Sequence, residues 1–199
     1  MTTTRVPQEE RTRAMRQRLL EATVQCLAEY GWSGTSTTQI SQRAGVSRGA
    51  QLHHFPTKND LVVAAVEHLA TVLRDELAQA AALLPDGPGR TRAVLEMLGE
   101  HFTSDVFAAA LELWVAARSD AALLDALVPF ERVTGRETHK LTVAMLDADE
   151  SRPGARELVQ ATLDLVRGLG LADTLTDDAA RRRRILDQWA TVLDAQVGR

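Results

Sequence analysis

Thr35-Ser36-Thr37-Thr38-Gln39-Ile40-Ser41-Gln42-Arg43-Ala44-Gly45-Val46-Ser47-Arg48-Gly49-Ala50-Gln51-Leu52-His53-His54-Phe55-Pro56-Thr57-Lys58 is the stretch that decides the fold. Ser36 and Gln39 stand three apart, the spacing at which a Ser hydroxyl accepts from the N3 amide while the Gln side chain reaches back to the cap. A helix is therefore expected to open near Thr37. It must be short, because Gly45 supplies the left-handed backbone that ends a helix, and Ser47 is a good N-cap for the next one, Arg48 to His54. Two short helices joined by a tight Gly-Val turn make a helix-turn-helix, whose second helix offers its N-terminal residues to base edges in the major groove. Phe55-Pro56 then breaks the chain, and Thr57 caps a longer helix that has Lys58 in its first turn.

The chain at these positions resembles the DNA-binding domain of the TetR family of transcriptional regulators. The resemblance rests on Gly31 with its aromatic neighbour, Thr35-Ser36, Ile40, Ala44-Gly45-Val46-Ser47, Gly49, His54-Phe55 and Lys58-x-x-Leu61. Two positions depart from the family's pattern: Gln51 stands where an aliphatic is usual, and Leu52 where a DNA-touching Tyr is usual. Leu52 is left either to pack or to meet a thymine methyl. The resemblance implies phosphate contacts for His54 and Lys58, and places Thr37 and Thr38 where the first short helix meets the DNA backbone.

Side-chain chemistry adds to this. Arg48, at the start of the reading helix, suits a bidentate pair with guanine O6 and N7, which discriminates by about 1–3 kcal/mol. Gly49 and Ala50 are small enough to let the helix sit deep, Ala50 against a thymine methyl, and His53 projects on the same side toward a base or phosphate. Phe55 and Ile40 read as core.

The 199 residues carry a net charge of −4, which looks wrong for a DNA binder until it is divided. Residues 1–58 hold eight Arg/Lys against four acids, a local +4, so the remainder carries −8. Attraction for phosphate is confined to the first domain. The single Cys26 excludes an internal disulfide, and its place on an apolar stripe makes it a buried small side chain. Met1 to Glu10 is polar and unlike a secretion signal, and no apolar run approaches the roughly 20 residues that cross a bilayer, so a cytoplasmic protein is expected.

In chain order, residues 1–9 read as a disordered tail in which Arg5 is a candidate minor-groove arm. Residues 10–57 form the DNA-binding domain, and its first helix, about Glu10 to Tyr30, has Met15, Leu19, Thr23, Cys26, Leu27 and Tyr30 on one face and Gly31 as C-cap. Arg11, Arg13, Arg16 and Arg18 stand at its start, against the helix dipole, which hints at phosphate contact for one or two of them, the alternative for each being a solvated face. A long helix, Lys58 to about Leu84, runs from the DNA into the second domain, 58–199, and ends at Pro85-Asp86-Gly87-Pro88-Gly89. Five further helical segments follow, about Thr91–Phe102, Thr103–Arg118, Asp120–Ala148, Pro153–Leu175 and Asp177–Val197, with Pro129 expected to break or kink the third. The fold class is thus all-α, a three-helix helix-turn-helix domain followed by a helical ligand-binding and dimerisation domain, with about nine helices. The family layout implies that the last two helices form a four-helix bundle across a dimer. Leu158, Ala161, Leu165, Leu169 and Ile185, Trp189, Val192, Leu193 provide the stripes for it. Gly168 and Gly170 mark either a close helix approach or a frayed end.

The second domain carries no nucleotide-binding glycine loop, no nucleophile elbow and no metal-spaced His pair, so an enzyme, a cofactor or a metal site is not expected. Asp147-x-Asp149-x-Ser151 starts like a calcium loop, but Arg152 replaces the required Gly and Leu158 the closing Glu. Arg181 to Arg184 read as a solvated face paired four residues back to Asp177 and Asp178. The resemblance implies a small-molecule cavity between the helices. Phe107, Leu111, Trp114 and Arg118 recur down one face, and facing helices offer His68, Met97, His101, Phe130, Thr134 and Met145. An apolar cleft with a few polar groups suits a small hydrophobic effector. The chain reads as a homodimeric repressor on an inverted-repeat operator, released by that effector. Its alternative is a constitutive helix-turn-helix regulator or activator without one.

Overall fold

The structure, a computed structural model, describes residues 8–196, apart from the side chains of Leu69, Leu73 and Glu76. The tail with Arg5 and the final Val197 lie outside the described residues. Nine helices and no strand make up that span: α1 (Gln8–Gly34), α2 (Thr37–Ala44), α3 (Arg48–His54), α4 (Lys58–Ala81), α5 (Arg90–His101), α6 (Asp105–Ala117), α7 (Ala121–Leu146), α8 (Ala155–Asp173) and α9 (Ala179–Gln196). None of them is long and apolar enough to cross a membrane.

The chain divides into two compact units. One comprises the residues up to Ala70 with Ala109–Leu127, the other Thr71–Ala108 with the chain from Val128 onward. The division falls within α4, α6 and α7, so each of these helices contributes to both.

In the first unit, α1 packs on α2 and α2 on α3. Leu19, Leu27, Ile40, Leu61, Leu113 and Leu123 are fully buried, and each such side chain contributes about 1.5–3 kcal/mol over leaving it in water. Thr23, Cys26 and Phe55 join this core as expected. Tyr30 does not: it is 42% exposed, and its hydroxyl accepts from Arg43 at 3.0 Å instead. The regular part of α1 ends at Gly31, where φ is 65° and ψ −178°.

In the second unit, α5 packs against α8 and α9, and α8 against α9, around Leu95, Leu98, Val159, Leu163 and Val166. Gly170 sits where α8 passes the backbone of Phe102, so close approach, and not fraying, accounts for this glycine. Three expectations are corrected here. The helix over Pro129 is not broken: α7 runs through it, and the carbonyl that the proline cannot serve belongs to exposed Asp125. Leu169 and Leu193 are buried inside their own chain at 4% and 1% exposure, so they are not free to pack across a dimer. The α9 arginines do not pair four residues back; Arg181 meets Asp178, three residues away, and Arg182 reaches Asp173 at 2.5 Å.

Candidate DNA-binding surface

Every local device expected of the helix-turn-helix is present with its geometry. Ser36 accepts from the Gln39 amide at 3.3 Å while the Gln39 side chain accepts from the Ser36 amide at 2.9 Å, closing the capping box of α2. Gly45 takes φ 62° and ψ 38°, a region that costs an L side chain about 1–2 kcal/mol. Ser47 then caps α3, accepting from the Ala50 amide at 3.2 Å. At the start of α4, Thr57 and Asp60 exchange two bonds of 3.1 Å each, a second reciprocal cap.

These caps fix which side of α3 is open. Arg48, Gly49 and His53 are exposed, Leu52 is 43% exposed, Ala50 and His54 are half-buried, and the His53 and His54 rings meet edge to face at 5.1 Å. Gln51, between them, is fully buried and donates from Nε2 to the Phe55 carbonyl at 2.7 Å. It fills the aliphatic position noted in the sequence by bonding its own turn. Thr38 is exposed and Thr37 half-buried at the start of α2.

Of the basic residues in this unit, Arg43 forms an ion pair with Glu29 and Arg16 lies over the Phe55 ring at 4.6 Å. Lys58 is half-buried: its Nζ donates to the Trp32 carbonyl at 2.5 Å and lies 4.0 Å from the Trp32 ring centroid. Burial lowers its pKa from the usual lysine value. Trp32 in turn donates its backbone N–H to Glu112 Oε2 at 3.0 Å. Neither Trp32 nor Glu112 was singled out from the sequence. Trp32 was visible only as the aromatic beside Gly31, and Glu112 gives no local signal at all.

Residues 19–65 match the sequence pattern of the bacterial regulatory proteins of the tetR family. The chain is 30% identical over 189 residues to the HTH-type transcriptional regulator CymR of Pseudomonas putida, with 93% of this chain and 92% of that protein covered. The chain belongs to the TetR family. It is a DNA-binding transcriptional regulator of the helix-turn-helix type. The structure of a transcriptional regulator from Pseudomonas aeruginosa PAO1 is similar to this TetR-family protein with a TM-score of 0.71 and 26% identity, over 96% of this chain and 93% of that one. The multidrug binding protein EbrR, solved with ethidium, shares the fold at a TM-score of 0.63 and 24% identity, over 88% and 97% of the respective chains.

The residues expected to meet an effector in this TetR-family chain fall in both units. Phe107 is buried in the second, with its ring edge to face with that of Phe102 at 5.1 Å, and Phe130 is half-buried there. Leu111 and Trp114 are half-buried in the first unit, and Arg118 is exposed. In the second unit His101 Nδ1 and Thr134 Oγ1 are buried without a hydrogen-bond partner, and burial pulls the His101 pKa down to about 4, leaving the ring neutral. Among the described residues no group of three or more His, Cys, Asp or Glu is placed to hold a metal ion. The Asp149 carboxylate of the discarded calcium loop accepts from the Ser151 amide and hydroxyl at 2.9 and 2.6 Å, and these bonds lower its pKa.

On α8 and α9 the partly exposed Leu165, Ile185, Trp189 and Val192, with Arg181, Arg184 and Gln188, line a groove of about 520 Å³. The Trp189 indole is fixed by donating to Thr162 Oγ1 at 2.9 Å.

Proposed function

We propose that this regulator is a cytoplasmic, non-enzymatic repressor that binds an inverted-repeat operator as a homodimer and leaves it when a small hydrophobic effector binds. The observation that carries the reading is α3: a helix capped by Ser47, anchored by buried Gln51 and Phe55, and exposing Arg48, Gly49 and His53 together. Residues 10–57 do the reading and 58–199 the effector binding and dimerisation. Arg48 pairs with guanine, Gly49 and Ala50 admit the helix to the groove, Leu52 and His53 meet base edges, and Thr37, Thr38, His54 and Lys58 hold the phosphates.

Two half-sites need two such helices roughly 34 Å apart, which a dimer provides. The partly uncovered Leu165, Ile185, Trp189 and Val192 support the α8–α9 face as the contact. The unpartnered His101 Nδ1 and Thr134 Oγ1 support an effector in the second unit, because buried polar atoms are normally bonded. Phe107 and Phe130 are its apolar contacts there. Leu111 and Trp114 continue α6 into the first unit, with Arg118 just past its end, and by that helix occupancy reaches the DNA-binding residues. EbrR, which holds ethidium, supports a small-molecule effector.

Sequencing the genomic fragments that the purified protein retains identifies the operator. On that duplex Arg48→Ala weakens binding by about 1–3 kcal/mol and relaxes one base position, while Lys58→Ala weakens all sequences and flattens the salt dependence by about one phosphate. Unchanged gel shifts for both variants would refute the site. A thermal-shift screen reads the effector, since a bound compound raises the melting temperature.

A further inference from the structure

Trp32 is held from three directions at once. Its backbone N–H donates to Glu112 Oε2 at 3.0 Å, its carbonyl accepts from Lys58 Nζ at 2.5 Å, and its ring lies under the same ammonium at 4.0 Å. All three residues belong to the first unit, where they tie the end of α1, the start of α4 and the middle of α6 to a single residue. The neighbouring Gly31 admits this arrangement. A methyl group built on it would come within 2.7 Å of Glu112 Oε2, and its φ of 65° disfavours any other residue.

The chemistry of the contact makes Glu112 more than a surface acid. A carboxylate accepting a backbone N–H is a charge-assisted bond, stronger and shorter than a neutral one. Lys58 has three N–H donors, of which Trp32 engages one, so two are left for phosphate while the position of the ammonium is set by the tryptophan. α6 begins in the second unit at Asp105 and enters the first at Ala109, so Glu112 sits in the first turn of α6 past that boundary.

We infer that Glu112 is a positioning residue for operator binding, acting through Trp32 on Lys58, and that this contact is where a movement of α6 reaches the DNA-binding surface. This rests on the operator reading above. Because coupling is reciprocal, a contact that favours the DNA-competent arrangement must itself be strengthened when DNA is bound.

The test uses the full-length chain and the duplex that the wild-type protein enriches from genomic DNA. Amide exchange at Trp32, followed by NMR on labelled protein, slows when that duplex is added to the wild type. Glu112→Ala speeds that exchange and weakens duplex binding about fivefold, the low end of measured couplings. The slope of affinity on salt is unchanged, because no phosphate contact is removed. Glu112→Gln, which keeps an acceptor oxygen, restores most of the affinity. Lys58→Ala, by contrast, lowers the salt slope. A Glu112→Ala protein that loses Trp32 protection yet binds the duplex like wild type overturns the coupling, and one that keeps the protection overturns the contact. A wild-type protein that enriches no duplex overturns the operator reading itself, so the two failures are distinguishable.

Discussion

The Cα of Gly170 on α8 lies so near the Phe102 carbonyl that a methyl group added to it would stand 2.0 Å from that oxygen and 2.8 Å from the Phe107 ring. The carbonyl is backbone and cannot swing aside, so Gly170→Ala must separate α8 from the Phe102 turn. Overpacking of this kind costs about 1–3 kcal/mol, and a backbone obstacle places it at the upper end. Gly135, in the middle of α7, has nothing within 4 Å of the same construction, so Gly135→Ala stabilises by up to about 1 kcal/mol through helix propensity alone. Urea denaturation of the two variants side by side reads opposite signs.

Gln51 is fully buried with Nε2 bonded to the Phe55 carbonyl and Oε1 unpartnered. An unsatisfied buried acceptor costs about 1–3 kcal/mol, comparable to what the amide's single bond returns. Gln51→Leu is therefore expected to stay within about 1 kcal/mol of wild type in urea and to bind the operator unchanged. A drop of several kcal/mol would show that the amide is needed in the core.

The all-helical plan and the reading helix were legible because their signals are local. Ser36 with Gln39, Gly45, Ser47 and Thr57 each act within about one helical turn, and each formed the predicted bond or dihedral. What depended on distant partners was not legible. Glu112 and Trp32 are 80 positions apart, and no spacing rule joins them. Gly168 and Gly170 read alike in sequence, yet only Gly170 meets another backbone. Pro129 was expected to break or kink α7; the helix is unbroken because Pro129 and Asp125 are exposed, where one lost backbone bond does not end it. Tyr30 fitted the apolar stripe of α1 but stands beside Arg43, whose guanidinium lies 5.3 Å from its ring.

His101 gives a pH dependence with a definite sign. In the unfolded chain its ring takes up a proton near the ordinary value of about 6.5, and in the folded protein only near pH 4. The unfolded state binds the extra proton between those values, so stability is full above pH 6.5 and falls as pH drops toward 4, by up to about 3 kcal/mol. His101→Phe removes that part of the slope. Melting temperatures of both proteins from pH 7.5 to 4.5 measure it.

Placing a carboxylate in the α8–α9 groove tests the dimer face. Ile185→Asp would bury an unpaired charge among Leu165, Trp189 and Val192, at a cost of several kcal/mol, so sedimentation at micromolar concentration is expected to find a monomer. The monomer binds the operator duplex far more weakly, since each chain then holds one half-site. A dimer that survives the substitution places the interface elsewhere.

α3 is seven residues long, well short of the roughly 12–15 at which a helix begins to persist by itself in water. The helix proposed to meet DNA thus owns none of its shape. Cut out as a peptide it would be a coil, and grafted onto a foreign scaffold it would read nothing unless Ile40 and Phe55 came with their neighbours. Truncating Ile40 or Phe55 would weaken operator binding as surely as the loss of Arg48, while leaving the exposed face of α3 untouched.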